Sequence, residues 1–165
     1  MTTQATVSNV TSTTLTKVYI HGESSADTKA EFEALTWTEI GDVTDMGEFG
    51  DEREEITKET FGRGRRIKRS GVSDAGALEL EVLRNVFDPG QTIARNALKG
   101  GKTQAIKVVF DDVPPGGGTP TVVYCLGVIL SGKYVVSGPN EMLMQRFKAS
   151  LTGEPIEVPA TSAIA

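Results

Sequence analysis

The run "TVVYCLGVILSGKYVVS" (121–137) constrains the fold more than any other part of the chain. In an extended strand, Val122, Tyr124, Leu126 and Val128 fall on one face, and Val123, Cys125 and Ile129 on the other. A strand with one wet face alternates apolar and polar residues, so a strand apolar on both must be covered on both. The cover expected is a helix, a second sheet or another subunit. Other strands alternate in the ordinary way. "ALELEVL" (77–83) sets Leu78, Leu80 and Val82 against Glu79 and Glu81, and "TQAIKVVF" (103–110) puts Ile106, Val108 and Phe110 on one face. "KVYIH" (17–21) reads as a first strand, "LTWTEI" (35–40) as a half-buried one, and 141–158 as a long or bent closing strand with Leu143, Phe147, Ala149 and Leu151 facing the core.

One segment has a full set of helix signals. In "DPGQTIARNALKGG" (88–101), Asp88 can cap free N–H groups, Pro89 suits the first turn, and Gly100–Gly101 supply the C-cap. Ile93, Ala94, Ala97 and Leu98 form its apolar stripe. A further helical turn is expected near 30–34. Many strands and one helix predict a mainly β fold, an antiparallel sandwich or open barrel flanked by a helix at about 89–99, packed outside the sheet. The 165 residues divide into an uncharged Thr/Ser-rich arm (1–16), a single β domain (17–158) and a loose tail (159–165).

The inventory for catalysis is poor. His21 is the only histidine, Cys125 the only cysteine, and no Gly-x-Ser-x-Gly elbow is present. His/Cys metal sites are excluded by count, and Asp42/Asp45 and Asp111–Asp112 read as turn residues. "GRGRR" (62–66) lacks the strand and the Gly-Lys-Ser/Thr of a phosphate loop, and "PPGGG" (114–118) lacks a strand-to-helix context. No catalytic, metal-binding or cofactor-binding residue is expected. A net charge of −5 is the wrong sign for gripping DNA. No run approaches the roughly 20 apolar residues of a membrane span, and no signal-peptide core precedes Lys17, so synthesis and folding in a cytoplasm are expected.

The charges are unevenly placed. Nine of the 22 acidic residues lie between Glu39 and Glu59, and none lies between Thr60 and Ser73, where Arg63, Arg65, Arg66, Lys68 and Arg69 cluster. Glu54–Thr60 and Arg65–Lys68 form the arms of a protruding hairpin of about 50–70, with "FGRGR" (61–65) as its tip. Little in either arm is apolar, so the hairpin cannot bury itself at home. Asp51, Glu52, Arg53, Glu54, Glu55, Phe61, Arg63, Arg65, Arg66, Lys68 and Arg69 are the candidate contact residues. Opposite patches on one surface can pair head-to-tail between copies.

The stretches "LTWTEIGDVTDMGEFG" (35–50) and "RSGVSDAGALELEVLRNVFDPGQTIARNAL" (69–98) resemble the tail tube, or major tail, proteins of long-tailed bacteriophages. The residues that carry the resemblance are Trp37, Ile40, Gly41, Val43 and Thr44, then Gly71, Asp74 and Gly76, then Asp88, Gly90 and Gln91. It implies a non-enzymatic virion protein whose copies, six to a ring, stack into a hollow tube that conducts DNA into the host. The implied partners are the chain itself, a tape-measure protein, a tail terminator and tail-tip or distal tail proteins, with no membrane and no cofactor. DNA would pass through the lumen unbound, with Glu79 and Glu81 as candidate lumen residues. Gene transfer agents use the same component, and the fold is related to tubes of contractile tails and type VI secretion. The alternative readings are a β-sandwich binding or capsid-decoration module, or the tube protein of a contractile tail or type VI secretion-like system.

Overall fold

The computed structural model describes residues 11–62 and 64–163. Seven strands form one antiparallel sheet: β1 (Ser12–Glu23), β2 (Thr38–Ile40), β3 (Val43–Asp45), β6 (Ala77–Leu83), β7 (Thr103–Asp111), β9 (Val122–Val135) and β10 (Met144–Val158). Their order is β2-β1-β7-β9-β10-β6-β3. The two edge strands are therefore consecutive in sequence, joined only by Gly41 and Asp42. So short a link spans about 10 Å at most, so the sheet must curl until its edges meet. The result is an open barrel whose seam is crossed by the chain and not by a hydrogen-bond ladder.

The curl encloses the main core. Val18, Ile20, Leu78, Leu80, Val82, Ile106, Val108, Cys125 and Phe147 pack there, together with Ile40 from one edge. Helix α2 (Pro89–Gly100) adds Ala94 and Ala97 to the same cluster, so it lies on the core side of the sheet and not outside it as expected. Its caps are those read from the sequence: Asp88 accepts from the Gln91 N–H, and Gly101 closes the helix at φ 63°.

The other face of β9 is covered by its own chain. A short helix α1 (Lys29–Glu33), started by a Thr28/Glu31 capping box, puts Phe32 in a stack on Tyr124 with ring centroids 5.3 Å apart. Trp37 packs at 5.8 Å from Tyr124 and donates its Nε1–H to the Phe32 carbonyl at 3.1 Å. Val122, Leu126, Ile156 and Val158 complete this second cluster. Of the three covers considered for β9, one face has α2 and the other has α1 with Trp37.

Several boundaries differ from expectation. β1 begins at Ser12, so residues 12–16, expected in the arm, are strand, while residues 1–10 lie outside the described residues. β2 keeps only Thr38–Ile40, because Leu35 and Trp37 are drawn into the second cluster. Leu143, expected in the core, is 43% exposed in the turn before β10. The C-terminal segment is tied down: β11 (Thr161–Ser162) pairs with β8 (Gly118–Thr119), and the Ala160 N–H donates to Thr121 Oγ1 at 3.1 Å. Residues 164–165 lie outside the described residues.

Candidate functional site

Two regions carry most of the residues singled out in the sequence, the seam and the hairpin. At the seam, Asp88 Oδ2 accepts from the Gly41 N–H at 2.8 Å while its other oxygen caps α2. Gln91 is completely buried; its Nε2 donates to the carbonyls of Gly41 and Leu83 at 3.1 and 2.9 Å, and its Oε1 accepts from the Asn85 N–H at 3.0 Å. Asp42, the turn residue at φ 59°, accepts from Asn85 Nδ2 and gives its carbonyl to the Leu83 N–H. Gly90 lets the first turn of α2 lie against β2: a Cβ there would stand 2.2 Å from the Glu39 carbonyl oxygen. The motif residues Ile40, Gly41, Asp88, Gly90 and Gln91 are thus one joint that fastens the helix across the seam.

The hairpin consists of β4 (Glu52–Glu59) and β5 (Arg66–Asp74), which pair only with each other. Every residue of β4 is exposed. Its base is set by Asp74, whose Oδ1 accepts from the Gly76 N–H at 3.0 Å, and by the Gly76 carbonyl, which takes the N–H of Leu151 in β10. Gly71 allows close strand approach, since a Cβ there would stand 3.0 Å from the Glu54 carbonyl oxygen. Asp51 precedes β4; Glu52, Arg53, Glu54 and Glu55 lie within it. Phe61 sits fully exposed at the tip, Arg65 precedes β5, and Arg66, Lys68 and Arg69 lie along it. Arg63 lies outside the described residues.

The register divides the hairpin into two faces. Glu55, Thr57 and Glu59 stand opposite Ser70, Lys68 and Arg66 on one, and Ile56 and Lys58 stand opposite Arg69 and Ile67 on the other. The first face satisfies itself. Glu59 pairs with Arg66 at 2.7 Å, Glu55 with Lys68 at 2.9 Å, and Thr57 donates to Glu55 at 2.9 Å. The Lys68 hydrogen bond, helped by Thr57, holds the Glu55 carboxyl below the usual glutamate range. The opposed charges are therefore in part an intramolecular match, which corrects the expectation of a hairpin left wholly unsatisfied. On the second face Ile56 and Ile67 stay exposed beside Lys58 and Arg69, and neither cation has an ion pair among the described residues.

Glu79 and Glu81 point out of the curl, as the alternation of β6 requires, and both are matched across to β10. Lys148 Nζ lies 3.3 Å from Glu79, and Arg146 Nε donates to Glu81 at 3.0 Å. The Glu81 carboxylate in turn raises the Arg146 pKa above the ordinary arginine value. This face carries matched charge and not a bare wall of carboxylates.

The remaining polar candidates have structural partners. His21 Nδ1 lies 2.7 Å from the Thr36 carbonyl, which can only accept, and the ring meets Trp37 edge-on. Cys125 is buried, and burial pushes its thiol up to about 12, far from the thiolate a nucleophile needs. Asp112 accepts from the N–H and the hydroxyl of Thr121, and Asp45 from the Gly47 N–H. Among the described residues there is no cluster of three or more His, Cys, Asp or Glu able to hold a metal ion. No helix among them is long and apolar enough to cross a membrane.

One group was missed by reading the sequence. Val86, Phe87, Tyr134, Val136 and Met142 are all exposed. Phe87 precedes the N-cap of α2, the position where an apolar residue often staples onto the helix, yet it is 94% exposed. That position, unpartnered, was the available signal.

No family model and no curated protein sequence matches this chain. Solved structures do. The SPP1 tail tube superposes with a TM-score of 0.63 at 14% identity, covering 89% of this chain and 77% of that one. The tail of the empty GTA particle, refined with C6 symmetry, gives 0.58 at 16% identity, covering 86% and 94%. A chain of the PVC sheath–tube complex, an extracellular contractile injection system in its extended state, gives 0.59 at 13% identity, covering 96% and 98%. In its fold the chain is similar to these solved tail structures.

Proposed function

We propose that the chain is a structural subunit of a phage-type tail, forming rings that stack into a hollow tube through which DNA passes to the host. The observation that carries this reading is the pairing of a curled sheet fastened by its helix with a long two-stranded arm exposed at every residue of β4 and at all but Gly71 of β5. Such an arm needs a neighbour to cover it, and identical copies meeting head-to-tail generate rings or filaments. The C6 symmetry of the GTA tail supports six copies per ring.

In this reading Asp51–Glu55, Phe61 and the Arg63–Arg69 cluster bridge successive rings. Glu79 and Glu81, with their lysine and arginine partners, line the lumen as a charge-balanced surface along which DNA slides without being held. The work is assembly and passive conduction, with no chemical step. The protein would be made in the host cytoplasm and reside in the virion tail, meeting a tape-measure protein inside and terminator and tip proteins at the ends.

Negative-stain microscopy of the purified chain tests this directly. Rings or tubes of uniform bore are expected, and a monomer at every concentration and salt would overturn the proposal. The likeness to the PVC complex favours a second reading, the tube of a contractile system. Co-sedimentation of assembled tubes with a sheath protein separates the two.

A further inference from the structure

Thirteen large hydrophobic side chains are exposed among the described residues, and ten of them sit in two places. Ile56, Phe61, Ile67 and Val72 belong to the hairpin. Val86, Phe87, Tyr134, Val136, Met142 and Leu143 belong to the loop after β6 and the two sides of the β9–β10 turn. Single exposed apolar residues are ordinary, but such grouping marks contact surfaces.

The topology puts these groups at opposite ends of the body. β6 enters from the hairpin at Ala77 and leaves at Leu83 towards Val86 and Phe87. β10 runs the other way beside it, with Ser150 against Ala77 and Met144 against Leu83. The β9–β10 turn therefore lies at the Leu83 end, where the Arg84 N–H donates to the Leu143 carbonyl at 2.9 Å and the Arg84 guanidinium sits 5.5 Å over Tyr134. Seven residues of strand separate the two ends by about 20 Å.

Charge supports the match. The apolar face of the hairpin is flanked by Lys58 and Arg69, which have no ion pair among the described residues, and the 136–143 turn contains one ionisable side chain, the exposed Glu141. A heterologous contact between identical copies requires two different, complementary surfaces facing away from each other.

We infer that the Val86–Phe87 loop and the β9–β10 turn form the receptor for the hairpin of a second copy, so that each subunit carries plug and socket at opposite ends. Phe61 and the Ile56/Ile67 face bury against Phe87, Met142 and Leu143, while Lys58 and Arg69 face Glu141. This rests on the tube reading and adds the acceptor surface to it.

Two variants of the full chain test it: Phe87→Asp/Met142→Asp, which removes the socket, and Phe61→Asp/Ile67→Asp, which removes the plug. All four side chains are exposed, so both variants should melt like the parent. Each alone should need about 30-fold or more higher concentration to grow tubes, the size of a hot-spot loss. Mixed, they should recover a single interface and stop, giving paired rings by mass photometry. Should aspartate unfold the domain, the serine versions carry the same test. Tubes that grow normally from the socket variant would overturn the inference and leave the tube reading standing. Folded variants that fail to pair on mixing would overturn it as well. A parent chain that never assembles would bring down both.

Discussion

The seam and the hairpin are both polar, glycine-punctuated stretches. At the seam nearly every polar atom is spoken for inside the subunit: Asp88 serves Gly41 and its own helix, and Gln91 serves three backbone groups. In the hairpin only one face is matched, and the other leaves two isoleucines and two cations in water. Composition does not separate these cases. What separates them is whether each polar group has a fixed partner within reach, because a buried unpaired group costs far more than an exposed one. Polar residues fully matched at home build the fold, and those left over are free to recognise something else.

That contrast can be broken at the seam first. Gly90→Ala should have the largest effect. The added carbon would stand 2.2 Å from a backbone oxygen, so the helix must move off β2. A loss of about 3 kcal/mol or outright failure to fold is expected in urea unfolding. Gln91→Leu comes next: it strands two carbonyls and an N–H in the core, for about 2–4 kcal/mol. Asp88→Ala should cost about 1–2 kcal/mol as a lost cap, and more if its bond to Gly41 adds to the cap. If these three cost no more than hairpin changes, the seam is not the joint described here.

Arg65→Glu/Arg69→Glu in the hairpin should invert the pattern. Unfolding should stay within about 0.5 kcal/mol of the parent, while tubes fail to grow. Normal tubes from that variant would remove the hairpin from ring stacking. The smallest effect is on Glu55. Its folded pKa is depressed, so its contribution is present above the unfolded pKa and is lost as pH falls through the folded one. Carbon-detected titration should find its midpoint low, and Lys68→Ala should return it towards the ordinary glutamate value.

Local signals carried far in this sequence. Asp88, Pro89 and Gly101 mark α2 to the residue, and Leu78, Leu80 and Val82 mark β6, because caps and period-two alternation depend on neighbours in the chain. The hairpin was legible for the opposite reason: neither arm has a face to bury. The rest depended on distant partners. Leu35 and Trp37 left the strand for a cluster around Tyr124, and Leu143 left the core because the β9–β10 turn extends past the end of the body. The internal pairing of Glu55 with Lys68 follows from a register that charge order alone does not fix. The socket residues were invisible because exposure is decided by what fails to pack against them.

The link through Gly41 and Asp42 also sets an order of events in folding. The residues it joins belong to opposite sheet edges, and the pairings behind those edges span long stretches of sequence: β1 with β7, and β6 with β10. Until residues beyond Thr103 have been synthesised, β1 has no inner neighbour, and until β10 is made, β6 has only β3. Contacts of such long range form slowly, since loop closure precedes any gain. The hairpin needs only its own turn, which closes in microseconds. In each new chain the two strands of the hairpin can therefore meet well before the barrel that carries them is complete.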